Sequence, residues 1–369
     1  MSLGRRYIPL PTMDVLRPPL VWAMGQCYRK NLSSEVEDGN QEDPEDTAYH
    51  DECGWNDEVC DSLILEETDS GFRYEMSVPS AYFKFIIGKK AETKRRLENE
   101  TATQIRIPKP GQDGPIVILS RERRGVVSAK TRIDVMVDSA RQRQPFTHFL
   151  SFPVNGQSVK DSFMDFKHDV LRECDGDRGL DDTLFQNSSK LHLTLGTLVL
   201  LDDAEVQQAE ELLQECKQDL IGPVSKDEPL KVYIQGLEYM NDDPNAVDVL
   251  YAKVELEDES DRLQILCDRL VDKFVSSGLM HRDSDRVKIH VTVMNTMFRK
   301  DPSGAVIQAK SGQRGATKER VSFDASNVLR LFGNYSFGQL VIGQLHLSQR
   351  YSTSCDGYYQ AAAVIDLPS

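Results

Sequence analysis

The seven cysteines of this chain (Cys27, Cys53, Cys60, Cys174, Cys216, Cys267 and Cys355) contain no Cys-x-x-Cys pair and no Cys/His cluster with zinc spacing. That excludes the zinc-finger and zinc-ribbon classes, which need several ligands at short intervals. An odd, scattered set of thiols reads as a reduced intracellular protein. No apolar run is long enough to span a bilayer, so no membrane partner is expected. The first thirty residues also lack the uninterrupted apolar segment of a secretory leader. No carboxylate cage suited to Mg²⁺ stands out, so the expected chemistry needs neither metal nor cofactor.

What is present is unevenly distributed. The 369 residues carry a formal net charge of −15. Asn31 to Phe72 holds fifteen Asp or Glu and no Lys or Arg, whereas Gly71 to Pro145 holds sixteen basic and eight acidic residues. From Phe146 onward the chain is acidic again. The middle segment is therefore the one expected to attract a polyanion, and any phosphate held further on must be gripped locally.

Residues 1–70 read as a mostly unfolded acidic region, too poor in apolar side chains to offset chain entropy. Within it, residues 13–31 contain an apolar island, Met13 to Trp22. It reads either as a fragment that docks on its own protein or as a short partner-binding motif. Residues 71–143 read as strand, helix, helix, strand, strand, helix. Phe72, Tyr74, Met76 and Val78 alternate as in a strand, Ala81 to Ile87 and Glu92 to Glu100 are short helices, and Gln104–Ile107 and Ile116–Leu119 are strands. Gly125 to Ala140 places Val126, Ala129, Ile133 and Val137 on one helical face. Residues 144–369 alternate strands and helices. Leu191–Leu200, Leu230–Met240, Val249–Leu256, Val287–Met294, Leu340–Leu347 and Tyr358–Ile365 are expected strands. Asp202 to Leu220 is an expected helix capped by Asp202, and Asp301 to Arg320 a polar loop.

Two of those strands share a frame. Lys190-Leu-His192-Leu-Thr194-Leu195 and Lys288-Ile-His290-Val-Thr292-Val293 both read Lys, apolar, His, apolar, Thr, apolar. Alternation in a strand puts Lys, His and Thr on one face and the apolar residues on the other. The residue types suit phosphodiester chemistry. In-line displacement wants a base on the attacking oxygen and an acid on the leaving oxygen, and imidazole titrates near neutrality. Thr194 and Thr292 hydroxyls can donate to non-bridging oxygens. Lys190 and Lys288 are candidate phosphate ligands, or else charges that keep the strand ends soluble. His346-Leu-Ser348 matches the shorter His-x-Ser pattern, but Gln344 replaces the lysine. His346 and His148 are expected to be structural.

The doubled frame resembles the two-histidine phosphoesterase superfamily. Val287-Lys-Ile-His-Val-Thr-Val-Met-Asn-Thr-Met-Phe-Arg-Lys-Asp301 and Asp356-Gly-Tyr-Tyr359 resemble its kinase-anchoring-protein-like branch. The resemblance implies a bilobal, LigT-like α/β domain that acts on 2′,3′-cyclic phosphates or short oligonucleotides. It also implies His192 and His290 as the acid/base pair, with Thr194 and Thr292 as phosphate binders. The middle segment resembles a type I KH domain, β-α-α-β-β-α. Gly88-Lys89-Lys90-Ala91 stands where such domains carry the Gly-x-x-Gly loop that clamps single-stranded RNA. Lys89, Lys90, Lys94 and Arg95 would face the RNA backbone, with Ala91 departing from the pattern. The combination, with Val15-Leu-Arg-Pro and Tyr28-Arg-Lys-Asn31, resembles the subunit-one family of the activating signal cointegrator complex. That likeness implies helicase-containing partners, transcription coactivation, alkylation-damage repair, ribosome rescue, and a nuclear and cytoplasmic location. Two functions fit: an RNA-processing phosphodiesterase, or an RNA-binding scaffold subunit with a vestigial site.

Overall fold

The computed structural model describes residues 63–299 and 321–368 apart from positions 110, 111, 113, 226, 227 and 283, together with the backbone of residues 20–23 and 26–29. The chain divides into two compact units, Met1–Arg143 and Gln144–Ser369. The readings of an acidic region over 1–62 and of a loop over 301–320 fall outside the described residues. The exception is a short hairpin, β1 (Leu20–Ala23) and β2 (Gln26–Arg29), with Leu20 opposite Arg29.

In the first unit β3 (Glu66–Thr68) and β4 (Gly71–Met76) form a hairpin. Strand structure thus begins inside the stretch read as unfolded. Local charge and turn chemistry account for it: Arg73 pairs across the hairpin with Glu66, and the Thr68 hydroxyl donates to the Gly71 carbonyl at 3.0 Å. Next come α1 (Phe83–Ile87), α2 (Glu92–Thr101), β5 (Gln104–Arg106), β6 (Ile116–Ser120) and α3 (Arg123–Gln142). The sheet order is β3-β4-β6-β5, antiparallel throughout. Its core is made where buried Ile105, Ile116 and Ile118 meet buried Ile86, Leu97, Val126, Ala129 and Ile133 of the helices.

The second unit contains β7 (His148–Pro153), α4 (Gln157–Glu173), β8 (His192–Leu198), α5 (Asp203–Cys216), α6 (Gly222–Ser225), β9 (Leu230–Tyr239) and β10 (Val249–Leu256). It continues through α7 (Arg262–Ser276), β11 (His290–Asn295), α8 (Ser326–Phe332), β12 (Ser336–Ile342), β13 (Gln344–Gln349) and β14 (Ala361–Asp366). Asp202 caps α5 as expected, its carboxylate accepting from the Glu205 amide at 2.8 Å. The helix is shorter than the pattern suggested. It widens after Cys216 into a turn over Lys217–Ile221, ahead of Pro223, which has no amide to continue the helical ladder.

Eight antiparallel strands form one sheet in the order β12-β9-β10-β11-β8-β7-β13-β14. The single strand expected over Leu340–Leu347 is in fact two, β12 and β13, parted at Gly343 and paired at opposite ends of the sheet. In a flat sheet β12 and β13 would lie six strand spacings apart, about 29 Å at ~4.8 Å each. One intervening residue spans only about 7 Å. The sheet is therefore curled until its ends approach. The seam between β11 and β8 leaves four strands on each side, which gives the unit two lobes.

Candidate active site

The histidines stand on that central pair. β8 opens at His192 and β11 at His290, and Val291 lies opposite Leu193 in the antiparallel register. One step along the ladder, His192 comes opposite Thr292 and His290 opposite Thr194. Leu193, Leu195, Val291 and Val293 point into a core that includes Leu266, Leu270 and Phe274 of α7. His192, Thr194, His290 and Thr292 are half-buried on the other face, as alternation requires. Directly opposed residues carry Cβ atoms about 5 Å apart, and diagonal pairs such as His192 and His290 about 7–8 Å apart. Lys190 and Lys288 stand before their strands begin, Lys190 closing a tight turn over Ser188–Lys190. The shared face expected for Lys, His and Thr therefore holds only for His and Thr.

Each imidazole is pinned in the same way. His192 Nδ1 lies 2.7 Å from the carbonyl of Lys190, and His290 Nδ1 lies 2.6 Å from the carbonyl of Lys288. A carbonyl only accepts, so both Nδ1 atoms carry the hydrogen and both Nε2 atoms are left for proton exchange. Burial, reinforced by the nearby His290, holds the proton affinity of His192 down to about 4 against the bond to Lys190, which raises it. His290 is lowered by burial and by the Lys288 charge. Near pH 7 His192 is neutral and fit to accept a proton. Its unfolded form binds a proton near 6.5 and its folded form near 4. Stability contributed by the neutral ring is thus expected to decline as pH falls from about 6.5 to 4 and to level off below. Chemical denaturation of the native chain against His192→Gln measures this, because the variant loses that part of the slope.

The rings also have aromatic neighbours that periodicity did not single out. Phe149 lies 5.2 Å from His192, and Tyr359 meets it edge-on at 5.4 Å. Tyr251 meets His290 at 5.2 Å. Tyr251 sits opposite Thr292 on β10, and its hydroxyl donates to Glu238 at 2.8 Å. Tyr359 belongs to a motif already noted for resemblance, but its place beside His192 depends on long-range folding. His148 is buried and shares a hydrogen bond with the Thr147 hydroxyl at 2.9 Å. His346 Nε2 lies 3.1 Å from the Gln344 side chain. Ser348 is buried in a network in which Ser151 contacts both Ser348 and the Tyr358 hydroxyl, at 3.1 and 3.0 Å. His148, His346 Nε2 and Ser348 are thus engaged within the fold, whereas the buried Nδ1 of His346 has no hydrogen-bond partner among the described residues.

Residues 146–367 match the family described as AKAP7 2'5' RNA ligase-like domain, and residues 73–135 match the KH domain. Activating signal cointegrator 1 complex subunit 1 of Mus musculus is 48% identical over 356 residues, covering 96% of this chain and 99% of the relative. The chain belongs to that subunit-one family. Similar solved structures include TT0787 of Thermus thermophilus, 16% identical, covering 60% of this chain and 98% of that one with a TM-score of 0.35. Another is Kluyveromyces marxianus Usb1 with uridine monophosphate, 17% identical, covering 60% and 97% with a TM-score of 0.31.

The subunit-one chain thus joins a KH domain to a two-histidine, phosphoesterase-like domain of LigT-like fold. In the KH domain, Gly88 links α1 to the loop at φ +69°, and a Cβ there would fall 2.0 Å from the Thr93 hydroxyl oxygen, so only glycine fits. At the other end of the loop Ala91 keeps a left-handed conformation, φ 62°, at a cost of about 1 kcal/mol for its Cβ. The left-handed exit from the loop into α2 is thus made without a second glycine. Lys89, Lys90 and Arg95 are exposed and, among the described residues, carry no ion pair. Lys94 pairs with Glu98 at 3.2 Å, and Arg96 lies 4.0 Å from Glu100. Around this loop, the exposed cations that carry no ion pair among the described residues are therefore Lys89, Lys90 and Arg95.

Proposed function

We propose that residues 144–369 of this subunit-one chain form a metal-independent phosphodiesterase for RNA, oligonucleotide or 2′,3′-cyclic phosphate substrates, and that the KH domain holds a single strand. The observation that carries the reading is the matched pair of imidazoles. They lie on one face of adjacent strands, both are locked with Nδ1 protonated, and each stands opposite a threonine. His192, neutral, takes the proton from the attacking hydroxyl or water. A bound phosphate anion favours protonation of His290, which then gives its proton to the leaving oxygen. Thr194 and Thr292 donate to the non-bridging oxygens as charge builds on them. Among the described residues no hydrogen bond commits either hydroxyl elsewhere. Turnover of an RNA oligonucleotide panel in EDTA tests the proposal. Failure to cleave any linkage would leave a binding subunit with a retained fold.

For the KH domain, affinity for single-stranded RNA is expected to fall as salt rises. Replacing Lys89 and Lys90 together by alanine removes two phosphate contacts and should make the log–log salt slope shallower by roughly 1.4. A slope unchanged by this variant in fluorescence titrations would remove the loop from the interface. The relative's name supports placing the chain as a subunit of an activating signal cointegrator complex; we further propose, from the sequence resemblance alone, a helicase among its partners, roles in coactivation and repair, and a nuclear and cytoplasmic location. Among the described residues no helix is long and apolar enough to cross a membrane.

A further inference from the structure

Lys190 and Lys288 invite a role as phosphate ligands, but their contacts point elsewhere. Lys190 Nζ donates to the Ser352 carbonyl at 2.9 Å and to the Thr353 hydroxyl at 2.8 Å. The same ammonium lies 4.6 Å from the centre of the Tyr359 ring. Tyr359 in turn meets the His192 ring nearly at right angles, at 83°. The chain closes the circuit, because His192 Nδ1 donates back to the carbonyl of Lys190 itself. One lysine thus holds its histidine twice, by its own backbone and through a tyrosine under its ammonium.

The second lobe repeats this arrangement with residues from other parts of the chain. Lys288 Nζ lies 4.5 Å from the centre of the Tyr251 ring, Tyr251 meets His290 at 69°, and His290 Nδ1 donates to the Lys288 carbonyl. The tyrosine of one circuit comes from the segment ahead of β14 and that of the other from β10. Tyr251 is anchored at its far end, its hydroxyl donating to Glu238 at 2.8 Å. Recurrence of one Lys–Tyr–His circuit on two separately built lobes argues that it serves the histidines. A cation over an aromatic face adds attraction without needing a carboxylate, which would compete for the imidazole proton.

We infer that Lys190 and Lys288 are positioning residues, each bracketing a tyrosine against its histidine so that Nε2 faces the groove. The inference deepens the phosphodiesterase reading, but its test does not require turnover. The full chain, labelled with ¹⁵N at histidine, reports the tautomer of each ring by NMR. In the native chain both rings should show Nδ1–H. Lys190→Met should turn His192 into a broadened or mixed-tautomer signal and leave His290 unmoved, and Lys288→Met should do the reverse. Lys→Arg at either position keeps the cation over the ring and should restore the native signal. Tyr359→Leu must reproduce the Lys190→Met signature, which keeps the test sound if one variant melts early. Affinity for inorganic phosphate should stay within about twofold, and where turnover is measurable kcat should drop about tenfold at unchanged KM. Native histidine signals in both Lys→Met variants, with phosphate affinity reduced about tenfold or more, would overturn the inference and make the lysines phosphate ligands. Native histidine signals with phosphate affinity unchanged overturn it as well. An inactive native chain whose tautomers respond as described refutes the phosphodiesterase and leaves the brackets standing.

Discussion

His192→Ala and His290→Ala are each expected to lower oligonucleotide cleavage in EDTA by about 10²- to 10⁴-fold, the range for losing a positioned proton-transfer group. The two losses should be similar, because neither half of the proton relay works alone, and the double variant should be little worse than either. Circular dichroism should be unchanged, since both residues are half-buried on the sheet face opposite the packed core. The native chain should show a bell-shaped pH dependence of kcat/KM. Its acid limb reports the base in the free protein, and with His192 held to about 4 it should lie well below the 6.5 of an ordinary histidine. A single variant that retains native turnover removes that histidine from the chemistry.

The largest stability effect is expected at Phe166 on α4. Its fully buried ring touches Tyr335 at 5.1 Å, Phe337 at 5.2 Å, Phe332 at 5.8 Å and Phe185 at 6.3 Å. Tyr335 also donates to the Ser162 carbonyl of α4 at 2.9 Å, so the cluster fastens that helix beside β12. Phe166→Ala leaves a void that rings cannot easily collapse around, and about 3–5 kcal/mol should be lost. For a unit of this size that lowers Tm on the order of 10 °C. Phe166→Leu, which refills part of the space, should recover more than half of the loss in urea titrations. Equal losses for the two variants would mean that the cluster does not act as a packed unit.

Local pattern carried the reading a long way. The alternation through Lys190–Leu195 and Lys288–Val293 puts His and Thr on one face and Leu or Val in the core, and the structure keeps that alternation from His192 and His290 onward. The strand–helix–helix–strand–strand–helix order of the KH domain was legible for the same reason, since each element shows its own period. Three features were not legible. Lys190 and Lys288 fall outside the strands because pairing starts only at His192 and His290, Lys190 being held in a turn, and where pairing starts is weakly encoded in a Lys-apolar-His frame. Tyr251 reaches His290 only through the β10–β11 register, a pairing between segments about forty residues apart. Ile342, Gly343 and Gln344 look like one continuous strand, because nothing nearby indicates that the two flanking segments choose partners in different lobes.

The Gly343 crossover has a mechanical consequence. Two half-sheets joined only along β8 and β11 would be able to swing about that seam like the covers of a book. A second covalent link at the far edges ties the covers together, so the opening at the spine is set when the chain folds. Ligands of different girth must then be sorted by whether they slide into a slot of preset width, and thermal motion there should be small beside that of two freely hinged halves.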